Sequence, residues 1–94
     1  MTTIDTTVKA YVLKINETIG EYEANSKVLV KVQPEKLDAY VHELLLNDWR
    51  GEAEFNEDDQ VYENGETSWY LSEAIEITEE VADYLIKMNI LNLL

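Results

Sequence analysis

The chain has no cysteine, one proline, three glycines and one histidine in 94 residues. Without cysteine there is no disulfide, no thiol nucleophile and no thiolate zinc site, so stability rests on a packed core and a reducing, cytoplasmic setting is expected. So little glycine and proline excludes collagen-like and low-complexity chains, and a hydrophobic content of 46 % excludes a disordered one. No run approaches the ~20 apolar residues that would span a bilayer. The most apolar stretch, Ile90-Leu91-Asn92-Leu93-Leu94, is short and interrupted by asparagine. Met1 to Thr7 is polar and lacks the basic start and apolar run of a secretory signal, so the mature chain is expected to be the whole chain. Basic residues are scarce as well: seven Lys and Arg face twenty Asp and Glu, a formal charge of −13. That field repels phosphate and anionic lipid, disfavours direct binding to nucleic acid or membrane, and attracts cationic surfaces.

The length suits one α+β domain, residues 1–94. Val8 to Ile15 is rich in β-branched and aromatic residues, and Lys27 to Val32 alternates with Val28, Val30 and Val32 on one face. These predict two antiparallel strands joined by a long polar connection, Asn16 to Ser26, that the strands can partly invade. Pro34 suits a first helical position, and Leu37, Tyr40, Val41, Leu44, Leu45 and Trp49 recur at three- and four-residue steps, predicting an amphipathic helix from Pro34 to about Arg50 with Gly51 as its left-handed cap. Arg50 then complements the carbonyls of the last turn. Asn64-Gly65 predicts a two-residue hairpin between Gln60–Glu63 and a strand beginning at Thr67. Thr78 caps a last helix whose apolar stripe is Val81, Tyr84, Leu85 and Met88. The expected order is ββαββα: an antiparallel sheet of about four strands with both helices on one face.

The charge is unevenly distributed. Residues 1–47 carry a net of −2 and residues 48–94 a net of −11, and between Arg50 and Lys87 there are twelve acids and no base. One reading is a solvated face that confers solubility. The other places Glu52, Glu54, Glu57, Asp58, Asp59, Glu63 and Glu66, extended by Glu73, Glu76, Glu79, Glu80 and Asp83, on one continuous anionic wall that imitates the phosphates of a nucleic acid. Neighbouring strand and helix positions about 5–7 Å apart permit two or three such rows.

In length, acidity and compact α+β order, and in its acidic hairpin Glu52 to Glu66, the chain resembles the small phage-encoded inhibitors of bacterial defence, the anti-CRISPR and anti-restriction proteins, several of which are nucleic-acid mimics. The likeness is one of composition across the whole chain. It implies a CRISPR effector complex or another nuclease as the target and assigns no role to an individual residue, because that class shares no sequence motif.

Catalysis is poorly supplied. His42 lies on the polar arc of the first helix, and a triad would need it beside Ser26, Ser68 or Ser72. Asn56 to Glu66 offers oxygen ligands of the kind calcium or magnesium takes, but lacks the alternating ligands and central glycine of the helix–loop–helix calcium loop. No catalytic residue, metal or cofactor is expected. Trp49, Tyr40 and Tyr84 are expected in the core; Trp69 and Tyr70 must face opposite sides of a strand, leaving one exposed. The tail Ile90–Leu94 is expected to finish the last helix against the sheet, with a dimer contact as the alternative. The expectation is therefore a non-enzymatic, cytoplasmic inhibitor, a monomer or weak homodimer, that docks its acidic half on a basic nucleic-acid-binding protein. The alternatives are an immunity protein against a basic toxin nuclease, a structural or assembly subunit, and a weak cation-binding protein.

Overall fold

A computed structural model describes residues 7–94; residues 1–6, on which the reading of the polar start depends, lie outside it. The first hairpin consists of β1 (Lys9–Ile19) and β2 (Tyr22–Val32), in register from Lys9↔Val32 to Ile19↔Tyr22. The expected long connection is thus almost wholly strand, leaving a turn of Gly20 and Glu21. Gly20 has a φ of +61° at the first turn position, which glycine adopts without strain and which matches the twist of the flanking strands. β3 (Glu54–Asn56), β4 (Val61–Asn64) and β5 (Thr67–Ile77) complete one antiparallel sheet in the order β2-β1-β5-β4-β3. The sheet has five strands rather than about four. The second hairpin turns one residue later than Asn64-Gly65 suggests: Asn64 pairs with Thr67, and Gly65 with Glu66 forms the turn.

Register decides the layers. Tyr11, Leu13, Ile15 and Glu17 of β1 share a face with Val30, Val28 and Ser26 of β2 and with Ala74, Leu71 and Trp69 of β5. Leu71 and Ala74 are three apart and would fall on opposite faces of a regular strand. An extra residue, Ser72, between the pairs Lys14↔Glu73 and Ile15↔Leu71 restores them to one side. This first face is covered by the segment after Pro34, which is helical to Asp48 but changes pitch: a single tight turn over Pro34–Lys36, α1 over Leu37–Glu43, and a wider π-type turn over Leu44–Asp48. Val41, Leu44 and Leu45 from it pack with Tyr11, Leu13, Ile15, Val30, Tyr62 and Trp69.

The last helix, α2 (Glu79–Lys87), lies on the other face, so the two helices sandwich the sheet instead of sharing a side. Its buried residue Ala82 meets Ala10 and Leu29, with Val12, Ile77 and Leu91 around them. The first face is already occupied by the residues after Pro34, and the second presents apolar Ala10, Val12, Leu29 and Ile77 that need cover. Thr78 caps α2 as expected, its Oγ1 accepting from the Val81 N–H at 3.2 Å. Asn89, at a φ of +58°, closes the helix: its N–H donates to Ile86 O and the Ile90 N–H to Leu85 O. The tail does not extend the helix; it runs beside β2, where the Leu29 N–H donates to Asn92 O and the Leu94 N–H to Leu29 O. No helix among the described residues is long and apolar enough to cross a membrane.

One charged pair belongs to the core. Glu17 is 2 % exposed, accepts two hydrogen bonds from the Arg50 guanidinium at 2.8 and 3.0 Å, and accepts a third from Ser26 Oγ at 3.3 Å. Arg50 therefore spends its charge on the sheet rather than on the end of its own helix. The Glu17 carboxylate, first through the hydrogen bonds and then through its charge, raises the guanidinium above its ordinary range. Arg50→Ala strands a buried carboxylate, whereas the outer half of Arg50 is solvated; the expected loss is about 2 kcal/mol, roughly a 10 °C fall in thermal midpoint by calorimetry. Arg50→Ala combined with Glu17→Gln is expected to recover part of it.

Candidate interaction surface

β3 and β4 place Phe55 opposite Tyr62, Glu54 opposite Glu63 and Asn56 opposite Val61. Alternation sends Phe55 and Tyr62 inward to the first face, where they meet His42, and sends both glutamates outward on the second. The loop between the strands is built by Asn56. Its Oδ1 accepts from the N–H groups of Asp58 and Asp59 at 3.0 and 3.2 Å, and its Nδ2 donates to Asp59 at 3.3 Å and Glu63 at 3.1 Å. Glu57, Asp58 and Asp59 are thus held as three consecutive exposed acids. At the other end of the hairpin, Asn64 Nδ2 donates to Glu52 O at 3.0 Å, and Glu52, Glu54 and Glu63 line an open, polar depression of about 410 Å³ with Ala53, Asn64 and Gly65. The row follows an edge of the sheet for roughly 14 Å at the strand rise.

The twelve acids read from the sequence divide into two groups. Glu52, Glu54, Glu57, Asp58, Asp59, Glu63 and Glu66 gather along the β3–β4 hairpin and its turns, and none forms an ion pair with a base among the described residues. Glu73 pairs with Lys14 at 3.5 Å, Glu76 with Lys9 at 3.4 Å, and Glu79 and Asp83 with Lys31 at 3.1 and 3.9 Å. Moreover, Glu73 shares a face with Lys14 on the α2 side, while Glu76 lies opposite Tyr11 on the α1 side. The single continuous wall expected from the sequence is therefore broken: strand alternation disperses the acids of β5, and lysines from the first half of the chain neutralise them. Glu80, on α2, is exposed and separate from the edge row. One acid that sequence reasoning did not select lies near Glu66. Gly20 N–H donates to Glu66 O at 3.3 Å, which brings Glu21, in the other hairpin turn, to the same end of the sheet. Nothing in the local sequence signals this, since it follows from the pairing of β1 with β5.

His42 is exposed, as its place on the polar arc implied, but its ring is engaged. Its Nδ1 lies 2.7 Å from the Tyr62 hydroxyl and its ring meets Phe55 edge-on at 5.6 Å. None of the three serines weighed for a triad bonds to it; Ser26 donates to Glu17. Among the described residues no three acidic or histidine side chains converge to hold a metal ion. Trp69 is fully buried and Tyr70, on the opposite face, is exposed, its hydroxyl accepting from Asn16. Comparison with family models, with curated proteins and with solved structures found no match.

Two predictions follow from this geometry. Glu54 and Glu63 are like charges directly across a strand pair, an arrangement that destabilises. Glu54→Gln is therefore expected to raise stability by about 0.5 kcal/mol, read as a right shift in a urea melt with an unchanged slope. Burial also raises the Tyr62 phenol above its usual 10.0. The folded state then holds that proton more tightly than the unfolded chain, so its contribution is complete below pH ~10 and is lost as pH rises through the folded value. Alkaline titration of tyrosine absorbance is expected to show one late-titrating group, and Tyr62→Phe to remove it.

Proposed function

We propose that this protein is a small acidic inhibitor that docks the β3–β4 edge on the basic surface of a nucleic-acid-binding protein or nuclease complex in the cytoplasm. The observation that carries the reading is the contrast between two sets of acids: those of β5 and α2 are largely paired within the fold, whereas the seven of the β3–β4 hairpin have no basic partner among the described residues and include two glutamates set face to face. A fold selected only for stability gains nothing from that opposition, but a basic partner inserted beside both carboxylates converts the repulsion into attraction. Lysines and arginines that ordinarily grip phosphates pair instead with Glu52, Glu54, Glu63, Glu66 and the Glu57–Asp59 loop. The attraction of opposite fields accelerates encounter, and the bound domain blocks nucleic acid sterically. No bond is made or broken. A nucleic-acid duplex carries about one charge per 1.7 Å of axis, so a row of this length imitates a short stretch of one groove wall rather than a full turn. This is the mode of action implied by the likeness to anti-CRISPR and anti-restriction inhibitors.

The test is affinity capture of the target, followed by titration of the purified pair. Affinity is expected to fall at least tenfold between 50 and 200 mM salt, and bound nucleic acid to be displaced. Reversal of Glu57, Asp58 and Asp59 to lysine is expected to abolish binding, whereas Glu79→Gln with Asp83→Asn, which alters acids already paired with Lys31, leaves it within about twofold. Equal losses from both sets would reject the edge as the contact.

A further inference from the structure

α2 carries apolar side chains on the side that the sheet does not cover. Ala82 is fully buried against Ala10 and Leu29, and Glu79 and Asp83 reach Lys31, which together fix the side of the helix that faces the sheet. At 100° per residue, Tyr84 falls nearly opposite Ala82, and Val81 and Met88 on the flank that turns away from Lys31. Val81, Tyr84 and Met88 are 45, 56 and 55 % exposed, so of the four residues expected to enter the core three point outward and only Leu85 is half-buried. Ile90, Leu93 and Leu94, also exposed, follow in the tail that runs beside β2. Contiguous apolar surface of this kind on a small acidic protein marks a contact.

The charges beside the stripe identify the occupant. Glu80 and Lys87 lie on the same flank of it, two turns apart, and neither forms an ion pair among the described residues, although the other two acids of the helix both do. We propose that α2 is a homodimer interface in which a second copy lays its own α2 antiparallel across the stripe, about a two-fold axis near Tyr84. A two-fold axis perpendicular to the helices brings the same flank of each together with its order reversed. Glu80 of one copy then faces Lys87 of the other, and the reciprocal pair forms by symmetry. A parallel arrangement would carry the flank that bears Glu80 and Lys87 to opposite sides of the two copies, so that neither residue meets its complement. Val81, Tyr84 and Met88 interdigitate with their symmetry mates, and tyrosine supplies the kind of anchor that such contacts favour. Because the helix is only nine residues long, the dimer is weak, with a dissociation constant in the micromolar range.

This inference stands apart from the reading of the acidic edge, since α2 rests on β1 and β2 and the acids line β3 and β4 at the far side of the sheet. Dimerisation would leave both edges free and make the protein bivalent, which favours targets that repeat a basic site. The salt response separates the two contacts. Each copy carries −13, so association through the apolar stripe strengthens as salt screens the repulsion, opposite in sign to binding through the edge.

Sedimentation equilibrium on the full chain at 50 and 500 mM salt tests the proposal. The mass is expected to rise from 10.9 kDa toward twice that value with concentration, and at lower concentration in the higher salt. Tyr84→Ser with Met88→Ser, both at exposed positions, is expected to leave the thermal midpoint unchanged and weaken association more than tenfold. At 50 mM salt, Glu80→Lys and Lys87→Glu are each expected to weaken it about threefold or more, and the double swap, which restores both the pairing and the net charge, to return it to within about twofold. A monomer at every concentration and salt, a dimer indifferent to the Tyr84 and Met88 changes, or a double swap no better than either single change would overturn the proposal. Salt-weakened binding of a basic target through the edge would be untouched by any of these results.

Discussion

The indole N–H of Trp69 donates to the Leu45 carbonyl at 2.9 Å, and this buried hydrogen bond holds the helical layer to the sheet. A wider final turn takes some backbone carbonyls out of the ordinary helical ladder, and here each has a specific taker. Leu44 O accepts from the Trp49 N–H, Leu45 O from Trp69, and Leu46 O from the Ala53 N–H. Leu44 O thus keeps the wide turn's own bond, while Leu45 O and Leu46 O are satisfied from outside the helix, without which they would lack a partner. The chain then leaves the helix at Gly51, with a φ of +80°, and delivers β3 to the sheet edge beside β4. The same anchoring positions Arg50 over Glu17. The location of the acidic edge therefore follows from how the first helix ends.

Electrostatically the molecule uses its few bases sparingly. Four of the seven, Lys9, Lys14, Lys31 and Arg50, are engaged with carboxylates across the sheet, and all four partners of the lysines come from β5 and α2. These exposed lysine pairs contribute little stability individually, yet they remove anionic character from the long strands. Of the carboxylates left without a basic partner among the described residues, seven gather on the shortest strands and their turns at one border. Charge on a three-residue edge strand also prevents another chain from adding to the sheet there, so the same carboxylates protect the edge while keeping it available for a cationic partner. The opposite border is guarded differently, by the tail pairing at Leu29.

Much of the fold was legible because local rules and tertiary context agree. Val28, Val30 and Val32 do share a buried or partly buried face, Thr78 does cap α2, and the helical segment does begin at Pro34. The extent of the first hairpin was harder to read, since Asn16 to Ser26 has the polar composition of a loop. Its glutamate at position 17 is tolerated in a buried strand only because Arg50, 33 residues away, meets it. The placement of α2 was obscured by its own stripe. Val81, Tyr84 and Met88 suggest an inward face, but the sheet at that point offers the small residue Ala10, against which Ala82 fits closely. The uninterrupted run Ala10-Tyr11-Val12-Leu13 in β1 was the available signal that both faces of the sheet would be covered.

By itself the sequence determined the α+β class, the turn after Asn64 to within a residue, and the concentration of negative charge after Arg50, because these depend on local backbone preferences and on a simple inventory of side chains. Only the tertiary structure decided which carboxylates are neutralised, which face each helix covers and which aromatic residues are left outside. Those outcomes depend on strand order and register: a single extra residue at Ser72 and the pairing of β1 with β5 set the faces of the residues that follow and bring lysines and glutamates more than fifty residues apart into contact.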